Sequence, residues 1–549
     1  MESQAPASLP ARRPPAWLPG WRSLAAVASG LLLALAFPPF EASGLAWVAL
    51  VPLLLALIGA SPREGARLGW VAGLTFWLLG LAWMLRLLET SPAPFLLILL
   101  GMALLAVYCA AYVAAFGLTF AWLAATIGTT KLWQTLLLVL LATATWVGGE
   151  YARGVIGGGF PWNGLGVSQY SNLALIQCAE WGGVAAVSAV LVLANAGIAF
   201  TVRRYLPGQP RQAYRPHVEL FVGLMAIALC FRSGFHSMRE YAGRPPSLEV
   251  AAVQPAIAQL KKWDDGEAER ILARLRTLTD EAATNGLKPD LIVWPETATP
   301  ECVTAEGESQ ALVMDLSRHG VPLLVGSMDV IDAGHGDFLC YNAAILFDAH
   351  GKPAGRYDKQ HLVPFGEYVP LSGLIPALAK LAPMGWNCSP GHSATVLKVG
   401  EPSVPFSCLI CFEDILPGLA RAAVRNGARL LINQTNDAWF DRTGGPMQHA
   451  SHSVFRAVEN RVPMVRVTNS GITCLIEPNG AIEEATANAW GQPPEPLVRR
   501  LSVGVPGPEW TPTVYSRYGD LPFAVPCAAI AGIGFMLALA ASRRKMVSA

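Results

Sequence analysis

The sequence predicts a membrane-embedded α-helical bundle of about eight crossings joined to a globular α/β sandwich, and three observations predict it. Of the 549 residues, 53% are hydrophobic and only 14% are charged, which is a membrane-protein composition. The apolar residues concentrate in the first 235 positions and again near the C-terminus, whereas residues 246–505 carry the acids, bases and turn formers of a water-soluble unit. Within that unit, short β-rich runs alternate with helical stretches. The expected division is therefore a seven-helix transmembrane domain over 1–235, a globular domain over 246–505, and a last transmembrane helix with a tail over 520–549.

A helix rising 1.5 Å per residue needs roughly 20 apolar residues to cross a hydrocarbon core of about 30 Å. Stretches that qualify centre on residues 23–40, 44–60, 68–88, 92–128, 132–149, 181–201, 218–232 and 521–541. The seventh is short and contains Glu219. The first is expected to be a span and not a cleaved leader, because "FPPFEASGLAW" offers no clear small-residue cleavage site and another span follows at once. The fourth is too long for one upright crossing, and charge decides how often it crosses. With one crossing, the loops on the N-terminal side collect Arg22, Arg63, Arg67, Lys131, Arg203 and Arg204, and the C-terminal tail adds Arg543, Arg544 and Lys545. The opposite loops hold little beyond Arg86, Arg153 and Arg232. Cytoplasmic loops gather Lys and Arg, so both termini are expected in the cytoplasm and the globular domain outside it. The loop "GGFPWNGLGVSQY", 158–170, then lies on the outer side, either re-entrant or as an ordinary connection with Trp162 at the headgroup belt.

In the globular part, "LEVAAVQPAI", "PDLIVWPETATP" and "VPLLVGSMDV" read as strands, with helices at "DGEAERILARLRTLTDEAATNG" and "AEGESQALVMDLSRHG" between them. "YNAAILFDAHGKPAGRYDKQHL" reads as a hairpin turning at His-Gly. "SVPFSCLICFED", "ARLLINQTNDAWF", the helix "QHASHSVFRAVENRV", "PMVRVTNSGITCLIEPNGAI" and "PLVRRLSVGV" complete the pattern.

Several function classes are excluded or weakened. The formal net charge of +1 lacks the basic surplus of a nucleic-acid binder. No Gly-rich phosphate loop is present. The spans are nearly free of ionisable residues, which weakens a transporter reading. Cys408 and Cys411 stand three apart, a spacing used by zinc and redox sites, yet no second such pair accompanies them. On a strand, side chains three apart point to opposite faces, so the two are expected to face apart. Cys411, at the strand end beside acidic residues, is the candidate for chemistry, and Cys408 for packing. Pairing among Cys302, Cys340, Cys388, Cys408 and Cys474 is unreadable from sequence.

Glu296 in "VWPETATP", Lys359 in "YDKQHLVPFGEYVP" and Cys411 in "ICFED" all fall at strand ends. A thiol needs a base or a positive neighbour to become a good nucleophile. Each residue alone has an ordinary reading, as solvated turn, surface lysine or packed cysteine. Taken jointly and in this order, with "LIVWPE", "CFED" and "NQTNDAWF", they make residues 246–505 resemble the nitrilase (carbon-nitrogen hydrolase) superfamily. With that domain set between a seventh and an eighth helix, the whole chain resembles the bacterial apolipoprotein N-acyltransferase family.

The resemblance implies an αββα sandwich whose catalytic residues are Glu296, Lys359 and Cys411. It implies a phospholipid acyl donor, phosphatidylethanolamine, and an acceptor lipoprotein bearing an N-terminal S-diacylglyceryl cysteine, both met at the bacterial inner membrane, with no metal or cofactor. By the same resemblance Glu367 orients Lys359 or assists proton transfer, and Glu413 supports the nucleophile loop. Phe412 stands where the family often has Tyr, and Trp263 and Trp439 match aromatic positions near the lipid entrance. The Pro- and Gly-rich stretch 371–386 suits an amphipathic arm dipping into the bilayer. A membrane-tethered nitrilase-type amidase or hydrolase uses the same three residues and stands as the alternative. A transporter or receptor carrying an inactive nitrilase-like domain is the alternative from another class.

Overall fold

A computed structural model describes residues 20–206, 216–241, 243–334, 337–370, 372, 387–486 and 495–547. The arm expected over 371–386 lies outside these residues apart from Ser372. The helical part contains α1 (Trp21–Leu35), α2 (Val51–Leu57), α3 (Pro62–Gly80), α4 (Leu87–Thr90), α5 (Phe95–Ile127), α6 (Leu132–Val155), α7 (Leu173–Ile176), α8 (Ala179–Arg203) and α9 (Val218–Tyr241). Among the described residues, five helices are long and apolar enough to cross a membrane. A sixth is added if α3 and the segment Ala82–Thr90, bent against it by 43°, form one span. The first two expected spans are shorter apolar helices, Trp21–Leu35 and Ser43–Leu57. At 15 residues, α1 rises about 22 Å, less than the ~30 Å core.

The long fourth segment is one unbroken helix of 33 residues, α5. The seventh is longer than expected, because α9 continues through Arg232 and His236 to Tyr241, and its Glu219 pairs with Arg204 at the end of α8. Helices α3 and α5 pack backbone to backbone. A Cβ added to Gly65 would lie 2.4 Å from the Gly117 carbonyl oxygen, and one on Gly69 would lie 2.3 Å from that of Val113.

The globular part is built from β1 (Leu248–Gln254), α10 (Ala268–Thr284), β2 (Leu291–Val293), α11 (Glu308–Leu316), β3 (Leu323–Gly334), β4 (Asp337–Phe347), β5 (Pro353–Asp358), β6 (Leu397–Val399) and β7 (Val404–Ile410). It continues with α12 (Pro417–Arg425), β8 (Leu430–Thr435), α13 (Gly445–Asn460), β9 (Met464–Thr468), β10 (Cys474–Ile476), β11 (Ile482–Glu483) and β12 (Leu497–Val503). The chain then passes through α14 (Val514–Tyr518) into α15 (Leu521–Val547), which returns against α5, α6 and α8.

The described strands form two six-stranded sheets, ordered β12-β1-β2-β3-β4-β5 and β11-β10-β9-β8-β7-β6. In each, three central strands are parallel, β1–β3 and β7–β9. Alternation along β1 explains the layering. Val250 and Ala252 enter the core between the sheets, while Ala251 and Val253 meet the layer of α10 and α11. Ile271, Leu275, Leu278 and Ala282 of α10 line one face at helical spacing and cover that side. On the other side, α12 and α13 share a single apolar core with the transmembrane helices. That shared core explains a polar sequence buried on nearly every side, since α13 is wedged between a sheet and the helical part.

One expectation fails here. Cys408 does sit in the inter-sheet core, but Cys411 packs against the same core and not the opposite face. Strand β7 ends at Ile410, and Cys411 adopts φ +52°, so alternation does not extend to it. No disulfide joins any two of the described cysteines.

Candidate active site

Parallel strands bring their C-terminal ends to one edge, so the loops leaving β2 and β7 deliver Glu296 and Cys411 to the same place. Lys359 follows β5 directly and is anchored through its N–H to the Asn342 carbonyl at 2.9 Å. Two close approaches need glycine. A Cβ on Gly326 would stand 2.1 Å from the Pro295 carbonyl oxygen, and one on Gly391 would stand 2.2 Å from that of Asp358. The chain thus crosses tightly beneath Glu296 and beside Lys359.

The structure gathers Glu296, Lys359 and Glu367 into one buried cluster. The Lys359 ammonium donates to Glu367 Oε1 at 2.9 Å and Glu296 Oε1 at 3.3 Å, and is only 1% exposed. Burial alone would push its pKa down, but the Glu367 and Glu296 carboxylates outweigh it and hold the pKa well above the usual lysine value. Glu367 is fixed by the Val363 N–H at 2.8 Å. Sequence reasoning missed Asn342, whose Nδ2 donates to both carboxylates, to Glu296 Oε1 and Glu367 Oε1 at 2.8 Å each. It lies in the middle of β4, inside a run that reads as ordinary strand, and no sequence signal marks it.

Cys411 lies within the field of this cluster. Burial pushes its thiol pKa up, Glu296 adds to the rise, and Lys359 opposes it. The resting group is therefore a thiol, and its use as a nucleophile requires a proton acceptor. The turn that presents it is strained at Cys411 and held by its neighbours. Asn433 Nδ2 donates to the Cys411 carbonyl at 3.2 Å. Glu413, fully buried, accepts from the N–H groups of Ile410 at 2.7 Å, Gln360 at 2.6 Å and His361 at 3.0 Å, and from the Tyr357 hydroxyl at 2.8 Å. It thereby ties the Cys411 turn to the loop that carries Lys359. Burial pushes the Glu413 carboxyl up to about 7.

Behind the turn is a second polar group. His449 lies 2.8 Å from both Asp414 Oδ1 and Asp437 Oδ1, and Arg466 bridges the same two carboxylates. Both acids fall inside quoted motifs, "CFED" and "NDAWF", where attention to other residues hid them.

The aromatic residues divide. Phe412 stacks on Trp162 (6.4 Å, 6°) and Phe160 (6.2 Å, 17°) of the loop between α6 and α7, with His361 on it at 6.1 Å. Trp162 is buried and donates through Nε1 to Gln448 Oε1 of α13 at 2.8 Å. It therefore belongs neither to a headgroup belt nor to a free loop. Trp439 is half-buried, and its carbonyl accepts from the Thr90 hydroxyl of α4 at 2.6 Å. Trp263 is 47% exposed and stands outside the cluster, beside the buried Lys262 that the sequence reading passed over.

Residues 29–197 match the apolipoprotein N-acyltransferase N-terminal domain family, and residues 249–492 match the carbon-nitrogen hydrolase family. The apolipoprotein N-acyltransferase of Geobacter metallireducens is 37% identical over 533 residues, 95% of this chain and 96% of that protein. The protein of the same name from Rhizobium meliloti is 31% identical, over 84% of this chain and 87% of that one. Among solved structures, an amidase from Nesterenkonia is 19% identical, with a TM-score of 0.35, and covers 50% of this chain and 94% of that chain.

Proposed function

The chain belongs to the apolipoprotein N-acyltransferase family, and from that premise we propose that it moves an acyl chain from a membrane phospholipid through Cys411 to the amino group of an S-diacylglyceryl cysteine. Glu296 accepts the Cys411 thiol proton as sulfur attacks the sn-1 ester carbonyl, forming the S–C bond. The tetrahedral oxyanion is stabilised by the Lys359 charge and the Phe412 N–H, an arrangement typically worth about 10² to 10³ in rate. Collapse breaks the C–O bond, and Glu296 returns the proton to the departing lysophospholipid oxygen. The acceptor amine then attacks the thioester carbonyl, forming the C–N bond and losing its proton to Glu296; collapse breaks the C–S bond, and Glu296 returns the proton to the Cys411 sulfur. Glu367 and Asn342 hold Glu296 and Lys359 in register, and Glu413 braces the turn.

The observation that carries this reading is the stack of Phe412 on Trp162 and Phe160. The residue next to the proposed nucleophile is packed on the helical part, which supports a thiol served by a substrate held in the membrane. A water-soluble amidase has no need of that contact. Loop charge asymmetry supports an inner-membrane enzyme with both termini cytoplasmic and residues 246–505 outside, between helical units 1–235 and 520–549. Phosphatidylethanolamine is the proposed donor and Trp263 and Trp439 its flanking aromatics.

The test is mass spectrometry of the detergent-solubilised full chain after incubation with phosphatidylethanolamine. We expect an acyl adduct on the Cys411 peptide, absent in Cys411→Ser, that passes to the amine of a diacylglyceryl-cysteine peptide. An adduct elsewhere, or none, overturns the mechanism. Release of free fatty acid in place of transfer favours the hydrolase.

A further inference from the structure

Lys262 is 2% exposed, yet no step above uses it. It follows a short 3-10 turn, Gln259–Lys261, on the loop leaving β1, and that loop is clamped to the opposite sheet. Asn469, just after β9, takes the Ile257 N–H on Oδ1 at 3.0 Å and donates to the Ile257 carbonyl at 2.8 Å. Asn436, just after β8, donates to Gln259 Oε1 at 2.8 Å, and Asn469 donates in turn to Asn436 Oδ1 at 2.9 Å. This amide chain spans the two sheets and turns Lys262 inward, where its Nζ donates to the main-chain carbonyl of Glu296 at 3.0 Å. The adjacent Lys261 behaves as a surface lysine, 60% exposed and paired with Glu267.

A carbonyl cap alone does not explain a buried ammonium, because a neutral amide makes that bond without the desolvation cost of a charge. Charge does explain it. With both carboxylates ionised, Glu296 and Glu367 against Lys359 leave the site one negative charge in excess, and passing the thiol proton to Glu296 moves that excess onto the sulfur or the oxyanion without cancelling it. Lys262 interacts electrostatically with both Glu296 and Cys411. Cys411 in turn faces Glu296, Lys359 and Asp437.

We propose that Lys262 is a second cation of the active site, a positioning residue that fixes Glu296 through its carbonyl and supplies positive charge to the Cys411 sulfur as it becomes anionic. The proposal rests on the assignment of Cys411 as nucleophile. Burial lowers the Lys262 pKa to about 8, against the opposing pull of Glu296 and Cys411. Its charge is therefore lost within a pH range where Lys359 keeps its own.

The experiment follows alkylation of Cys411 by iodoacetamide against pH, read on its own peptide, in the full chain and in Lys262→Met and Lys262→Arg. At about pH 7, below the value at which Lys262 loses its charge, alkylation should be about tenfold slower in Lys262→Met and unchanged in Lys262→Arg. Acyl-adduct formation should fall about 10²-fold in Lys262→Met. In the wild type it should decline as pH rises through about 8, and in Lys262→Arg that decline should vanish. Equal losses in both variants with an unchanged alkylation rate at about pH 7 would make Lys262 a plain structural cap and overturn the proposal. If Lys262→Met does not fold, a high-pH decline that persists in Lys262→Arg overturns it equally. Alkylation needs no lipid, so a wild type that takes no acyl chain refutes the proposed function while the alkylation rate at about pH 7 still decides on Lys262.

Discussion

His449 sits between two carboxylates that would repel each other without it. Burial favours the neutral ring, but Asp414, with Asp437, outweighs both burial and the Arg466 charge and raises the imidazole to about 9. Burial also works against the Asp414 carboxylate, and His449 and Arg466 together hold it at about 2. A histidine whose folded pKa is raised contributes stability that is fully present below its ordinary value near 6.5 and lost as pH rises through the folded value. The pH window therefore runs from about 6.5 to 9, and the effect is on the order of 3 kcal/mol. Thermal melts should show the wild type losing its advantage over His449→Gln across that window. An advantage that is constant with pH would mean the ring is neutral. At this scale the residues proposed for catalysis were legible, because Glu296, Lys359 and Cys411 each stand in a distinctive local motif. Asn342 was not, since nothing near it in sequence distinguishes it from its strand.

At the scale of elements, helix α10, with one face buried and the other exposed, lies where 3.6-residue spacing puts it. Strands β1, β7 and β8 are buried on both faces and lie where short β-rich apolar runs put them. The short β6 and the turn of helix α14 were missed, each too brief to show a period, and α12 was passed over although its buried Ala420, Ala423 and Val424 fall at helical spacing. Alternation also misplaced Cys411, because a left-handed residue ends the strand before it. The α3–α5 contact depends on glycines that a hydropathy profile scores only as mildly apolar. A Cβ on Gly117 would lie 2.3 Å from the Gly65 carbonyl oxygen, whereas one on Gly101 of the same helix meets nothing within 4 Å. Gly117→Val should therefore lower the melting temperature of the solubilised protein, at a cost of about 1–3 kcal/mol. Gly101→Val should leave it within error, and equal effects of the two would contradict the packing.

The whole molecule is joined through α13. Gln448 takes the Trp162 and Asn163 side-chain N–H groups and donates to the Pro38 carbonyl at 2.7 Å. Arg461, directly after the helix, donates to Glu180 at 2.8 Å and Gln177 at 2.5 Å. Because α12 and α13 complete their core with transmembrane helices, a fragment of residues 243–506 should aggregate or bind hydrophobic dyes when expressed alone. A monodisperse, cooperatively melting fragment would show that the sandwich closes its own core. By itself the sequence determined the membrane character, the strand-and-helix alternation and the order Glu, Lys, Cys, all properties written in neighbouring residues. Only the tertiary structure decided that Trp162 covers the Cys411 turn, that Asn342 and Lys262 reach Glu296, and that the polar helix α13 is buried. Those contacts join residues tens to hundreds of positions apart, and a local pattern carries no record of what will press against it.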